Sequence, residues 1–530
     1  MEKKIIFIAF IFSIAINKNG FTQTKNSPIE TFSLWKIQNK QAIKGFGKYC
    51  VVDINKTAIK DLLTKSRNEI VVEIENEGIK YQLDLQENVM ENVKVKINNN
   101  EYLKNVSFPK MYAGKIRGES KANNCMITIA ENYISAQIHF PNYLINVQHN
   151  ISKSTDEYVQ TDSREVEIHP LESFNCGTKD DDKSVKQNNN EIIFNRNTNN
   201  TLSPLDRCSY VFVDCTQAFY NHFNLENNSV TIQNSINHVY SIWNDVSRAF
   251  LNEQLNVQIS EINIWTTTIP FTTSTRELGI QTFAGYYQNN FQGNMAMLLD
   301  WNAAPRFGVA GAIGAAKANS PNVCGNYSAN PNPIWRHGSY IYNDLNYFGS
   351  YQNFPTPAIA DEVYVCVHEL GHLFGSPHTH WCGWAGGPID LCGPLENGPC
   401  AGNPTTPPTA GGTFMSYCIR FATQTEAATG PMNFNNGFGP QPGNVIRNFV
   451  LNNACITNCN CLANQNIGTI TTPGFYHFEA AQIVTASGTV PSSNSFIKLD
   501  GGVKVRLAPG FKAYQGARVN VYIDGCEGIR

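Results

Sequence analysis

Histidine is scarce in this chain, long apolar segments are nearly absent, and neither sign of charge dominates. The 530 residues include 11 histidines, and the formal net charge at pH 7 is −3. A charge so close to zero gives no electrostatic reason to expect nucleic acid or an anionic membrane as a partner. Hydrophobic residues make up 42% of the chain, which is enough to form several buried cores over this length.

The long apolar run of the sequence lies at its start. It covers residues 5–16 and follows Lys3 and Lys4. Twelve positions are too few to span a bilayer, which takes about 20. A basic start, a short apolar run and then polar residues are typical of a secretory signal peptide, which we assign to residues 1–23; the alternative is a buried N-terminal helix. No later segment is long and apolar enough to be transmembrane, so the sequence predicts an exported, extracellular protein.

The chain contains 15 cysteines. In an exported protein most thiols end in disulfides, and an odd number leaves one over. If Cys176, in the segment SFNCGT, is the unpaired cysteine, the other 14 could form seven bridges. The alternative makes Cys176 a disulfide partner, for instance of Cys50 or Cys125. The connectivity does not follow from the sequence.

Composition divides the chain into regions. Residues 24–177 contain short runs of alternating apolar and polar residues, such as 70–85 and 126–140, which predict a mainly β domain. Residues 178–203 are charged and rich in asparagine, which is typical of an exposed linker. The segment 460–530 alternates apolar residues between Gly and Pro, and this predicts a small all-β module.

Residues 204–457 have a different pattern, in which strand candidates alternate with a helix. The strand candidates are 210–214, 255–265 and 294–300. Between the first two, apolar residues recur at spacings of 4, 3, 4, 3 and 4, as expected for an amphipathic helix: Ile232, Ile236, Val239, Trp243, Val246 and Phe250. This order predicts an α/β domain with a parallel or mixed sheet.

Four of the 11 histidines lie in one stretch, CVHELGHLFGSPHTHWC, at residues 366–382. A helix that begins near Thr356 and Pro357 would carry His368 and His372 four residues apart, on one face. Two such imidazoles can bind one zinc ion, and Glu369 beside them can act as general base for the attacking water.

A catalytic zinc needs a third protein ligand. Gly375 can end the helix in a left-handed conformation, and Pro377 prevents its continuation, so that His378 can turn back as the third ligand. His380 is the alternative third ligand, although a supporting or surface role suits it better. A further alternative is Glu396, but its Gly- and Pro-rich surroundings do not favour the helix that such a ligand needs.

The pattern H-E-x-x-H-x-x-G-x-x-H, filled by residues 368–378, and the segment GGTFMSYC resemble the metzincin zinc endopeptidases, most closely the reprolysin or adamalysin type. The resemblance implies a metzincin-like α/β (α+β) catalytic domain, with a twisted mixed sheet and a zinc-binding helix. It places Met415 in the Met-turn, as an apolar floor beneath the histidines. Thr379 departs from the family pattern, because many adamalysin-like enzymes have Asp there. Tyr417 could approach the zinc or the oxyanion, as in astacin-like relatives, or could only pack.

The resemblance also implies that residues 24–177 are an inhibitory prodomain, with a processing site in the linker. Cys176 would then act as a cysteine switch, its thiolate taking the fourth zinc position. Other cysteines have more than one interpretation. Cys382, Cys392, Cys400 and Cys418 could hold the cleft wall by disulfides, and the cluster Cys455, Cys459 and Cys461 favours disulfides over a second zinc site.

The sequence therefore predicts a secreted zinc-dependent endopeptidase with Zn²⁺ as cofactor, its own prodomain as partner and proteins or peptides as substrates. Asp300 and Asp390 leave room for Ca²⁺, without a calcium-binding motif. The rival function is a secreted adhesion or binding protein with a structural or vestigial metal site. Glu369 argues against the rival, because a structural site does not need that carboxylate. The oligomeric state and the preferred substrate do not follow from the sequence.

Overall fold

The structure is a computed structural model of the chain. It describes the following residues: 29–43, 47–65, 67–90, 93–104, 106–119, 125–140, 143–150, 157–166, 207–223, 228–288, 290–301, 340–344, 359–393, 395, 412–418, 434–452, 456–458, 464–471, 475–480, 483–491, 495–501 and 503–523. The predicted signal peptide, the linker, Cys176 and Glu396 lie outside these residues, as do Thr356 and Pro357 at the predicted helix start.

The N-terminal part is built on a sheet of ten strands in the described residues, with one helix against it. Its elements are β1 (Thr31–Phe32), β2 (Trp35–Ile43), β3 (Gly47–Ile54), α1 (Lys56–Thr64), β4 (Glu69–Asn76), β5 (Ile79–Asn88), β6 (Lys94–Ile97), β7 (Glu101–Tyr102), β8 (Lys110–Ile116), β9 (Cys125–Ala130), β10 (Tyr133–His139), β11 (Leu144–His149) and β12 (Tyr158–Val166). All of these strands except β6 and β7 belong to the ten-stranded sheet, which is antiparallel apart from the β1–β4 pair. Alternating strands of this kind bury one face of the sheet, here around Leu34, Ile127 and Ile145.

The middle part contains a mixed sheet with helices, as the sequence predicted. Its elements are β13 (Arg207–Cys215), α2 (Gln217–His222), α3 (Asn228–Asn252), β14 (Asn256–Ile264), α4 (Arg276–Tyr287), β15 (Met295–Asp300), β16 (Tyr340–Asp344), α5 (Ile359–Leu373), a 3₁₀ turn (Phe434–Asn436), α6 (Pro440–Asn452) and β17 (Thr457–Asn458). The order in the sheet is β16-β15-β13-β14, with β17 antiparallel to β13 and the other pairs parallel. The predicted amphipathic helix is confirmed as α3, and the three predicted strands as β13, β14 and β15.

A hairpin from the N-terminal part completes this second sheet. Strand β6 pairs in parallel with β14, and β7 pairs with β6 at the outer edge. The sequence alone gave no sign of this pairing, because its partners are far apart in the chain. Residues 94–102 therefore belong by sequence to the N-terminal region and by hydrogen bonding to the second sheet.

Helix α3 lies between the two sheets. Its apolar residues, including Trp243 and Phe250, are fully buried in a core shared with β13, β14 and α5. The opposite side contacts β8, β9 and β10 of the N-terminal sheet. On α5, Glu362 meets His238 of α3, with Oε2 and Nε2 2.8 Å apart. Helix α3, which contacts α5, is thus covered by the second sheet and α5 on one side and by the N-terminal sheet on the other.

The last part contains only strands among its described residues. They are β18 (Asn464–Ile467), β19 (Phe475–Ala480), β20 (Ile483–Ala486), β21 (Thr489–Val490), β22 (Phe496–Gly501), β23 (Lys504–Leu507), β24 (Lys512–Ala513) and β25 (Arg518–Tyr522). Every pair is parallel, in the orders β18-β20-β23, β19-β22-β25 and β21-β24. Parallel pairing of strands so close in sequence indicates a small solenoid, in which each coil stacks on the one before.

Two further findings concern the character of the helices and the pairing of the cysteines. None of the helices in the described ranges combines the length and the apolar character of a membrane span. Cys50, Cys215 and Cys366 have free thiols. Three free thiols leave at most 12 of the 15 cysteines for disulfides, so the prediction of seven bridges is wrong. Cys50 is also excluded as the partner of Cys176.

His222, the last residue of α2, is half-buried, and its Nε2 atom is shielded from solvent without a hydrogen-bond partner among the described residues. Its ring stacks on Trp301, with the centroids 3.6 Å apart. Burial, together with the nearby His238, lowers the pKa of His222 from 6.5 to about 3. The folded protein therefore keeps this ring neutral at pH values at which the unfolded chain protonates it.

We predict that His222 makes the fold sensitive to mild acid. Below pH 6.5 the unfolded chain takes up a proton that the folded protein does not. The free energy of unfolding therefore decreases as the pH is lowered, by at most about 2 kcal/mol at pH 5 relative to neutral pH. His222→Phe keeps the stacked ring and removes the titration. Thermal unfolding at pH 7 and pH 5 should show a smaller fall in Tm for the variant; an equal fall in both proteins would contradict the prediction.

Candidate metal centre

The metal centre begins on α5, which carries His368, Glu369 and His372. All three side chains are fully buried. The spacing of four residues places the two imidazoles one helical turn apart, as the sequence predicted, and their Nε2 atoms are 3.1 Å apart. Glu369, next to His368, lies on the same helix turn.

The chain reverses directly after this helix. Gly375 has φ +87°, a conformation that favours glycine, and its N–H donates to the carbonyl of His372 at 2.8 Å. The turn brings His378 back to α5, with its Nε2 atom 3.1 Å from that of His372. His368, His372 and His378 thus form one group of potential ligands.

Backbone carbonyls hold the first two imidazoles in place. His368 Nδ1 lies 2.7 Å from Phe414 O, and His372 Nδ1 lies 2.8 Å from Ser376 O. A carbonyl only accepts, so each Nδ1 carries the proton and each Nε2 presents a lone pair. Lone pairs that converge at 3.1 Å repel one another unless a cation lies between them. Three neutral imidazoles are a suitable donor set for zinc, so the residues fit the predicted metal.

The segment 412–418 closes the floor of this group. Met415 is fully buried, and its sulfur lies so close to Gly371 of α5 that a Cβ there would be 2.5 Å from it. Thr379, which follows the third histidine, donates to Met415 O from its N–H at 3.0 Å and from Oγ1 at 3.2 Å. A threonine therefore ties the third histidine's loop to the Met-turn by neutral hydrogen bonds.

Tyr417 and His380 both lie beside His378. The centroids of the Tyr417 and His378 rings are 4.9 Å apart, so Tyr417 lies beside the three histidines. His380 is fully buried and stacks on His378 at 4.8 Å, so the surface position considered for it is wrong. It does not belong to the ligand group that His378 completes.

Other supports of the site were not found by sequence reasoning. The Tyr364 hydroxyl, one turn before His368, donates to Ser416 O and so links α5 to the Met-turn. Trp384 Nε1 donates to His378 O at 2.7 Å. Helical spacing could have drawn attention to Tyr364, whereas nothing local in the sequence indicates the Trp384 bond.

A disulfide joins Cys392 to Cys418 and so ties the loop after His378 to the end of the Met-turn. Cys382 is also disulfide-bonded. These bonds agree with the prediction that cysteines hold the loops around the site. Cys392 and Cys418 also lie near Asp390, but as a disulfide they are not available to a metal.

Neither of the two aspartates considered for calcium belongs to a group of three carboxylates within the described ranges. Asp300 accepts hydrogen bonds from Thr216 at 2.6 Å and from Tyr342 at 2.9 Å. Asp390 accepts one from the N–H of Cys392 at 3.2 Å. Their contacts account for both side chains as structural acceptors.

We predict that Gly371→Ala disturbs the metal centre. The new methyl group would meet Met415 Sδ and Phe438 Cε1, which a Cβ would approach to 2.5 and 2.9 Å. The overlap should cost about 1–3 kcal/mol, more than the roughly 1 kcal/mol gained in helix propensity. Thermal unfolding and chelator competition should show a lower Tm and at least tenfold weaker zinc binding. Unchanged values would mean that Met415 does not support the histidines.

Comparison with known proteins gives one family match. Residues 205–427 match the family model Reprolysin_5, metallo-peptidase family M12. No curated protein matches the chain. Among solved structures, the metalloproteinase-II from Bacteroides fragilis is similar, with 10% identity and a TM-score of 0.33, over 60% of this chain and 84% of that chain.

The family model spans the zinc-helix motif and the Met-turn, which the structure brings together around three convergent imidazoles. Over residues 205–427 the chain is therefore similar to the metallopeptidases of family M12.

Proposed function

We propose that the chain is a secreted, zinc-dependent endopeptidase made as a zymogen. The observation that carries this proposal is the convergence of the His368, His372 and His378 Nε2 atoms, two of which have their protons committed to backbone carbonyls on the far side of the ring. His368, His372 and His378 would hold a zinc ion there, and the Lewis acidity of that ion would polarise a peptide carbonyl and lower the pKa of a water molecule.

In this mechanism Glu369 is the general base. Its carboxylate accepts a proton from the attacking water and then passes that proton to the leaving amine. Its full burial supports the role, because bulk water does not compete for the carboxylate in a site closed to solvent. The carbonyls of Phe414 and Ser376 keep the first two imidazoles oriented throughout.

Tyr417 is proposed to assist the same step. Its ring lies next to His378, and its hydroxyl is a suitable donor to a developing oxyanion. A tyrosine that only packed there would contribute contact with His378 and His380 and no hydrogen bond to the substrate.

The rest of the proposal concerns the flanking regions. The apolar N-terminal run supports export by a signal peptide, and the polar residues 178–203 support a processing site between the N-terminal and catalytic parts. Residues 24–177 would then be the prodomain, with Cys176 as its switch thiol.

The alternative is a secreted adhesion or binding protein with a vestigial metal site. The solenoid of strands β18–β25 would suit such a protein, since coils of this kind present extended surfaces. The presence of Glu369 at a buried position beside the histidines favours the peptidase, because adhesion does not require it.

Glu369→Gln tests the mechanism. The amide keeps the shape of the side chain and cannot act as a base, so zinc content should be unchanged and casein cleavage should fall at least about 100-fold. A chelator should abolish cleavage by the parent protein, and added zinc should restore it. Cleavage by the variant at the parent rate would rule out Glu369 as the base.

Cys176→Ser tests the switch. A hydroxyl is a much weaker zinc ligand than a thiolate, so the uncut variant should cleave casein at least tenfold faster than the uncut parent. Cys50→Ser is the matched control, because it removes a free thiol from the same N-terminal part. Equal activities of the uncut parent and the uncut Cys176→Ser variant would exclude thiolate inhibition.

A further inference from the structure

The N-terminal part holds the catalytic sheet by strand addition. Strand β6 pairs with β14 in parallel from Glu261↔Lys94 to Ile264↔Ile97. Without β6, the outer edge of β14 would present unpaired N–H and C=O groups. The hairpin thus supplies the backbone partners that this edge lacks within the catalytic domain, as a bound peptide strand does elsewhere.

Side chains of the same hairpin satisfy a buried carboxylate. Glu261 of β14 has 2% side-chain exposure, and Lys96 Nζ lies 3.0 Å from its Oε1 atom. The Tyr102 hydroxyl donates to Glu261 Oε2 at 2.8 Å. Loss of both partners would leave a charge in a largely buried position, and that is costly unless water reaches it.

The turn of the hairpin is shaped for the end of β14. Asn98 and Asn99 both have positive φ, 51° and 54°, as asparagine allows more readily than most residues. Asn98 Oδ1 accepts from the N–H of Thr266 at 2.9 Å, and the Asn99 N–H donates to Asn263 Oδ1 at 2.7 Å. The hairpin therefore recognises both the backbone and the side chains of its partner.

A second contact involves the polar side of α3. Asn244 Nδ2 lies 3.2 Å from the carbonyls of Tyr112 and Ile127 in the N-terminal sheet. The hydroxyls of Tyr133 and Ser241 are 2.8 Å apart. Such groups can exchange protein partners for water, so this side of α3 tolerates exposure.

Apolar contacts oppose separation. Residues of β6, β8 and β9 and the residue before β6 are buried in the same core cluster as α3 and α5: Val93, Val95, Met111, Ala113 and Met126. Separation would expose them together with their partners, at about 25 cal/mol per Å² of apolar surface. The interface therefore combines polar groups that water can replace with an apolar strip that it cannot.

From these contacts we infer that the N-terminal unit, residues 29–166, stays bound to the catalytic domain as a noncovalent subunit after the chain is cut. This inference rests on the proposed function only for the assumption that a cut occurs. The hairpin β6–β7 and the polar side of α3 form the binding surface, and Lys96–Glu261 is its buried ion pair.

The test uses the full-length chain with a recognition sequence for an unrelated, specific protease placed within residues 178–203. Glu369→Gln in the same chain prevents self-digestion and makes the result independent of activity. After complete cutting, size-exclusion chromatography and native mass spectrometry at micromolar concentration should show one species containing both fragments. Two separate fragments under these conditions would overturn the inference.

Charge reversal tests the assigned surface. Lys96→Glu places two carboxylates together, so the cut complex should dissociate at least tenfold faster than the parent. The double variant Lys96→Glu/Glu261→Lys restores an opposite pair and should return the rate to within about threefold of the parent. Lys60→Glu, on the exposed side of α1, makes the same charge change away from the interface and should have no effect.

Equal dissociation rates for the parent and Lys96→Glu would overturn the role of the hairpin. Lys96→Ala, with folding checked by circular dichroism, keeps the test valid if the reversed charge prevents folding. A second cut chain that keeps Glu369 separates the two proposals: if it stays one species but gains no peptidase activity, zymogen activation by the cut alone is contradicted and the bound subunit is established.

Discussion

The site depends on imidazole lone pairs that face one another. The Nε2 atoms of His368 and His378 each lie 3.1 Å from that of His372, and the carbonyls of Phe414 and Ser376 take the protons of the two helix histidines on the other side. Such an arrangement is unfavourable without a cation, so the surrounding structure must impose it. The helix, the turn at Gly375 and the floor at Met415 all serve this end, and the M12 family match covers the same residues.

The position of α5 in turn depends on α3. One side of α3 packs into the core around the catalytic sheet, and the other side meets the N-terminal sheet through Asn244 and Ser241. The N-terminal part also approaches the metal centre by another route. His139 of β10 packs against Phe434, with centroids 4.5 Å apart, and Phe434 meets Phe414, whose carbonyl holds His368. The two halves of the chain therefore share supports that a division by sequence composition would assign to one half alone.

Much of the site could be predicted from the sequence because its geometry is local. A spacing of four on a helix, a glycine that reverses the chain and a histidine three residues later determine where the imidazoles lie, and the structure brings His368, His372 and His378 together. The supports could not be predicted, because they join residues distant in sequence. Thr379 bonds to Met415 O, and β6 pairs with β14. The free thiols at Cys50, Cys215 and Cys366 were missed for a related reason, since counting cysteines does not show which of them lie apart from one another in the fold.

The pairing of β6 with β14 also has a consequence for the order in which the chain folds during synthesis. A ribosome makes the chain from its N-terminus, so Lys94–Ile97 emerges long before Asn256–Ile264. The ten-stranded sheet has its own core and can order first, with the hairpin already displayed when the later half appears. Strand β14 can then pair with a β6 strand that is already ordered, and the sheet can extend from that pair. This shortens the search of β14 for a partner that is distant in sequence. The strand that is synthesised first, β6, is therefore the one on which the later strand β14 can pair.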